Sequence, residues 1–524
     1  MRKSIKTLTY ALIALIVVII AGMVLLTTLI NPNKYKPMII ESVKKSTDRE
    51  LILNGDIKWT FFPIFGLQAN QISLSNPPEF GKTNFVNIDS LQVSVQLLSL
   101  LYGNLTIDNL NINGLKLNLI TNGNLNNWTF KPKEEPNKDT KSTPSAVHIQ
   151  LDSFNLDNSQ FSYVNTKTKT QQKIDNFTLH IKTGIIGGIK FNPEENQLTL
   201  KNVTFHLNHI IKGKINLEAS LNAKKYHGNI DIPKFSLNEY LQQIGVKKPK
   251  VANPQLLNSV AFATKIDGSD SKFTFDNLHI QIGNSNINGQ IKTDSISPLS
   301  LTENITLDQA DVADYSDING FRLPLKNLKV NGSFNMQERT INAQQSLTIE
   351  NLTLKGFNVD SFTHQLDNVT SAKIINIAQA TTTFNTMQKE LKRLSSKGAK
   401  NLSQQTNLGH LTAQIVIKRG ILTTPVMNLS GPAMITNGRG VVDLNSKTLN
   451  YTTYTQFLHN NPLLSRLIFP YHMTGSLSNV DGSLDWTSIQ QQVIKYYTDN
   501  LPGVTNSIKK AAHKTGAFFK NLFK

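Results

Sequence analysis

The feature that most constrains this chain is a short motif that recurs among alternating runs from Ile88 onward: apolar, any residue, asparagine, apolar, any residue, apolar. It reads Ile107-Asp108-Asn109-Leu110-Asn111-Ile112, Ile174 to Leu179, Leu200 to Phe205, Phe275 to Ile280, Leu325 to Val330 and Ile349 to Leu354. Alternation of period two belongs to strands with one apolar face. The apolar residues flanking each asparagine sit three apart, so the alternation slips by one there. A bulge or turn is the natural repair, since an extra residue restores the facing and adds twist. The copies are irregularly spaced, which argues against a strict solenoid and predicts a long, twisted, mostly antiparallel meander with loops of varied length. Its apolar face must be covered by a second sheet, a helix or something foreign, and on pattern alone a conventional sandwich core is the simplest cover.

The ends differ from this body. Thr7 to Asn33 carries no charge, and its apolar core from Leu8 to Ile30 exceeds the ~20 residues that cross a bilayer. It is longer than the apolar part of a signal peptide and no small-x-small cleavage pattern follows it. Arg2, Lys3 and Lys6 precede it and predict a cytoplasmic N-terminus, an inner-membrane single pass and a periplasmic bulk, although Lys34 and Lys36 reduce the asymmetry. At the other end, Val504 to Lys524 reads as a basic amphipathic helix. Val504, Ile508, Ala511, Ala512, Phe518, Phe519, Leu522 and Phe523 fall opposite Lys509, Lys510, His513, Lys514, Lys520 and Lys524. It would cap the sheet or contact a membrane or partner through Ile508, Phe518, Phe519 and Leu522 with Lys509, Lys510, Lys514 and Lys520.

In order, the chain reads as a cytoplasmic N-terminus (1–6), a transmembrane anchor (7–30), an N-terminal β-region (31–130), a linker or loop (131–146), a middle β-region (147–246), a second linker (247–254), a C-terminal β-region (255–486) and the tail (487–524). Lys36 to Lys45 predicts a short helix broken at Thr47-Asp48-Arg49. Leu51, Leu53 and Ile57 predict a strand ended by Phe61-Phe62-Pro63, and Leu67 to Leu74 a second. Asn238 to Val246 and about 370–398 predict helices, the latter with Ile374, Ile377, Phe384, Met387, Leu391 and Leu394 at helical spacing. That longer helix covers a flank of the sheet or acts as its lid.

Little in the sequence carries chemistry. A net charge of +18 permits nucleic-acid binding, yet the lysines are scattered among asparagines with no aromatic-interleaved basic motif, so a solvated surface is the better reading and no nucleic-acid partner is expected. The absence of cysteine excludes disulfides and thiolate metal sites. Ser42-x-x-Lys45, Ser236-x-Asn238 and Lys182-Thr183-Gly184 imitate the elements of serine acylases but stand out of order. The eleven histidines show no HExxH, and His206 and His209 lie three apart in strand and turn. Gly81-Lys82-Thr83 has Asn76 where a phosphate loop needs glycine, and Glu134-Glu135 and Glu194-Glu195 read as solvated. No catalytic residue, metal or cofactor is therefore assigned.

Several motifs in order resemble the AsmA family of bacterial envelope proteins. They are Pro32 and Tyr35, Thr47-Asp48-Arg49 where the family has Thr-Gly-Arg, Leu53 to Ile57, Pro63 with Gly66-Leu67, Asn76-Pro77 with Phe80-Gly81, and Gly123 to Trp128. Leu411 to Leu449, with Gly420, Gly438-Arg439-Gly440 and Asp443-Leu444, resembles the family's C-terminal signature. The resemblance implies a mainly β fold in which a transmembrane helix is followed by an elongated, incompletely closed β-groove with a few helices. It also implies a role in outer-membrane biogenesis, with phospholipid as ligand and envelope proteins as further partners. The groove residues would be Leu110, Ile112, Phe177, Leu179, Leu278, Ile280, Leu328, Val330, Leu352 and Leu354. The alternative is a non-catalytic scaffold for outer-membrane protein assembly with a dry core.

Overall fold

The computed structural model describes residues 31–60, 66–95, 107–123, 125–130, 149–192, 196–296, 298–318, 320–337, 340–370, 377–395, 402–477 and 479–500. The expected anchor, the linker at 131–146 and the amphipathic segment from Val504 lie outside the described residues. Among the described residues no helix is long and apolar enough to cross a membrane. The fold is mainly β, with large antiparallel pairing and few helices. The chain divides into two compact units, Met1–Lys248 and Pro249–Lys524.

In the first unit the helix Lys36–Thr47 ends at Asp48, which adopts the left-handed conformation (φ 56°, ψ 30°) and donates its backbone N–H to the Lys44 carbonyl. The sequence departure from glycine thus leaves the turn intact, because a short polar side chain tolerates this conformation. The strand Gly66–Ser75 pairs with Leu51–Leu53 and Lys58–Thr60 on one edge and with Asn84–Val95 on the other. The single strand expected to run up to Phe61-Phe62-Pro63 is two within the described residues, Leu51–Leu53 and Lys58–Thr60. Here Asn54 and Gly55 donate to the Gln71 and Asn70 carbonyls, beside Gln71 at φ 53°. Ile107–Asn113 and Lys116–Asn122 both lie parallel to Ser153–Asn165, the exception in an otherwise antiparallel scheme among the described residues. Thr170–Asn192, Gln197–Leu207, Ile211–Ser220 and Lys225–Phe235 then run as a meander, and the helix Leu237–Gln243 follows.

The second unit is a longer meander from Val260–Ser269 to Asn479–Leu484, each strand antiparallel to the next. The motif asparagines behave as their spacing requires. Asn176, Asn202, Asn277, Asn327 and Asn351 all take positive φ, between 50° and 56°. Register shifts fall at Ile174/Phe177, Leu200/Val203, Phe275/Leu278 and Ile349/Leu352. At each of these bulges the asparagine is the left-handed residue, a conformation that asparagine tolerates better than most other side chains. The refacing is visible at Phe161, which sits opposite Ile174 while its ring meets that of Phe177 edge-on at 5.1 Å. Asn109 differs: the shift there places Ser94 opposite Asn109 and Val95 opposite Ile107.

The helical region expected at about 370–398 is two helices, Val359–Thr370 and Ile377–Ser395. The earlier start follows from Val359 and Leu366, buried on the first helix, which the apolar count from Thr370 onward did not include. A third helix, Trp486–Asn500, joins them through Ile489, Val493 and Tyr497. Together they close over Phe457, Leu464, Leu467 and Phe469 in the largest cluster of buried apolar side chains. The helices therefore cover one region of the sheet face.

Candidate functional site

Cross-strand register aligns the apolar residues into rows. In the first unit one row runs Leu91, Ile112, Leu156, Leu179, Leu207, each opposite the next. The neighbouring row runs Val93, Leu110, Phe154, Ile181, Phe205. In the second unit Phe262, Ile280, Ile287, Leu307 and Leu328 form one row. A second runs Leu278, Gly289, Ile305, Val330, Leu347.

Seven of the ten residues singled out from the sequence stand in these rows, whereas Phe177, Leu352 and Leu354 stand opposite Ser159, Gly409 and Thr406, and burial separates the ten further. Leu278 and Leu352 are buried, at 4% and 5% exposure. Leu110, Ile112, Phe177, Leu179, Ile280, Leu328, Val330 and Leu354 are only partly buried. A sandwich core would hide all of them. Both clusters of buried apolar side chains belong to the second unit, so among the described residues the rows of the first unit have no such core beneath them.

Leu354 also lines a cavity of about 540 Å³ between the sheet and the helical layer. Its other walls include Phe357, Phe362, Leu408, Met434, Phe457 and Leu484, with Thr455 and Tyr471 the lining side chains that bear a polar atom. Its size is that of an ordinary small-molecule or acyl-chain pocket. Phe357, Phe362 and Phe457 were missed from sequence because they stand in a loop, a helix and a strand, the last far along the chain from the other two. Alternation shows only which residues share a face.

Three of the family-resembling motifs converge elsewhere, in a buried knot. Arg49, 3% exposed, lies between the rings of Phe85 and Phe130 at 4.5 and 4.2 Å. Its Nη2 donates to the Asn127 carbonyl at 2.6 Å. Asn127 in turn donates through Nδ2 to Asn76 Oδ1 and the Asn118 carbonyl, both at 2.7 Å, and accepts from the Ile120 N–H at 2.8 Å. Burial pushes the Arg49 guanidinium below its ordinary pKa, with Glu79 opposing. Thr47-Asp48-Arg49, Asn76-Pro77 and the Gly123 to Trp128 stretch are therefore one structural device joining the entry helix to the sheet.

A model of the AsmA family matches residues 1–409. The chain belongs to the AsmA family. Among curated proteins it is similar to the AsmA family protein YhjG of Escherichia coli (strain K12), 24% identical over 31% of this chain and 25% of that protein. It is also similar to Protein AsmA of the same organism, 27% identical over 23% of this chain and 18% of that protein. The matches thus span a quarter or less of the relatives' own length. No solved structure matches the chain.

Other groupings in this AsmA-family chain are structural. Ser42 is exposed, the Lys45 ammonium pairs with Glu41 at 2.6 Å, and Ser236 Oγ accepts from the Glu239 N–H as a helix cap. Arg439 stacks on Tyr454 at 5.2 Å and donates to its hydroxyl at 3.1 Å. The fold brings His364, Asp367 and His459 together with ligand atoms within 4.8 Å, a grouping that sequence spacing did not reveal. His459 Nδ1 accepts the Asn461 N–H at 3.1 Å, and its Nε2 lies 3.4 Å from Asp367 Oδ2. His364 Nδ1 lies 3.4 Å from the same carboxylate oxygen, so the trio ties the helix to the loop.

Proposed function

We propose that the chain is a non-catalytic phospholipid carrier of outer-membrane biogenesis, held in the bacterial inner membrane with its bulk in the periplasm. Acyl chains lie along the cross-strand rows, and the cavity behind Leu354 receives a chain end at the helical region. The observation that carries this reading is the row Leu91 to Leu207. It is apolar across five strands, yet Leu91, Ile112, Leu179 and Leu207 are partly exposed and no buried apolar cluster underlies them among the described residues. An acyl chain supplies the missing cover, each buried CH₂ contributing about 0.8 kcal/mol. Many equivalent positions let the chain slide, and directionality comes from elsewhere.

The test is native mass spectrometry with lipid extraction on the full chain purified from a bacterial envelope. Phospholipid at defined stoichiometry, reduced severalfold in Leu110→Asp and Ile112→Asp while circular dichroism stays unchanged, is the expected outcome. A folded chain that is lipid-free would overturn the reading in favour of a scaffold working through protein contacts.

A further inference from the structure

Three neighbouring strands of the second unit, Leu299–Asp308, Leu328–Gln337 and Thr340–Lys355, break their own pattern at one place. Every position on the shared face from Leu299 to Leu307, from Leu328 to Met336 and from Ile341 to Ile349 is apolar or glycine, apart from Glu303 and Gln345. Glu303 stands opposite Gly332, and Gly332 opposite Gln345, so the two polar residues flank the glycine in one row. Ile291 and Ile415 close that row at its ends. Gln345 leans over the glycine: a Cβ at Gly332 would lie 2.5 Å from Gln345 Oε1. Its Nε2 donates to the Ser333 carbonyl at 3.3 Å, which leaves Oε1 to accept.

Glu303 Oε2 and Gln345 Oε1 are both buried without a hydrogen-bond partner. An ionised carboxylate and an amide oxygen only accept, and leaving either buried and unmet is unfavourable. An acyl chain has no donor to offer. A primary ammonium has three N–H donors and the opposite charge, and it answers both oxygens at once.

We propose that Glu303 and Gln345, facing each other across Gly332, seat the primary ammonium head of an amine-bearing lipid held on this face. The assignment rests on the lipid-carrying reading above and adds a headgroup preference to it. The full chain in mild detergent is offered an equimolar mixture of phosphatidylethanolamine and phosphatidylglycerol and read by native mass spectrometry. The wild type takes up the amine lipid in about tenfold excess, the scale of one hydrogen bond to a charged group. Glu303→Gln, which keeps shape and removes charge, brings the ratio near unity with phosphatidylglycerol uptake unchanged. Gln345→Glu, which adds a carboxylate, raises the ratio.

Equal uptake of the two lipids by wild type and both variants overturns the seat, as two waters alone would produce, and leaves the carrier reading standing. No uptake of either lipid overturns the carrier reading itself. Binding of free ethanolamine to the lipid-free chain, abolished by Glu303→Gln and without any lipid preference, reassigns the seat to a soluble amine and overturns the lipid assignment.

Discussion

Arg49 illustrates how much one residue carries here. Its planar guanidinium is stacked on two rings and bonded to a carbonyl 78 residues away, and nothing in the sequence spacing reports that distance. Arg49→Ala removes the stacking and leaves the Asn127 carbonyl unmet, so it should lower unfolding free energy by about 2–4 kcal/mol in urea titration. Arg49→Lys should recover less than half, because an ammonium neither stacks flat nor forks. The motif asparagines make the opposite case, since their role is local and was readable. At Asn351, φ 56°, a glycine should be neutral or slightly stabilising and a valine should cost about 1–2 kcal/mol, measured by thermal unfolding. Gln71 and Asn158 also hold positive φ, but Gln71, between Ala69 and Ile72, is not an asparagine, and Asn158 is followed by Ser159 where the motif has an apolar residue, so no pattern marked them. Glu303 and Gln345 were likewise unreadable as a pair: each is one polar residue in a strand, and only the register sets them on either side of Gly332.

Among the elements, the helical layer was partly legible. Phe384, Met387 and Leu391 recur at helical spacing and are buried. The helix Trp486–Asn500 was missed because its three core contacts, Ile489, Val493 and Tyr497, are diluted by glutamines and threonines on the other faces. Its packing sets a contrast between two substitutions. Leu464, fully buried under the helices, should cost about 2–5 kcal/mol when changed to alanine, seen as an earlier unfolding midpoint. Leu354→Asp lies on the cavity wall with its side chain only partly buried. It should cut bound lipid severalfold in extraction assays with a smaller loss of stability.

At the scale of the whole molecule, strand content, antiparallel pairing and bulge positions followed from alternation. The parallel placement of Ile107–Asn113 and Lys116–Asn122 beside Ser153–Asn165 did not, because pairing partners across a long connection leave no trace in periodicity. If lipid covers the apolar rows, its removal should destabilise the fold by linkage. Extracting it with detergent and exchanging into lipid-free buffer should lower the unfolding midpoint, and adding phospholipid back should restore it.

The bulged asparagines also bear on how such a chain assembles. A long run of similar hairpins invites neighbouring strands to pair one step out of place, a fault that turns every side chain over. A left-handed residue at a fixed point in each of several strands, as at Asn176, Asn202, Asn277 and Asn351, acts as a punctuation mark that a slipped partner cannot match. The same residues that bend the sheet therefore proofread its pairing as it forms.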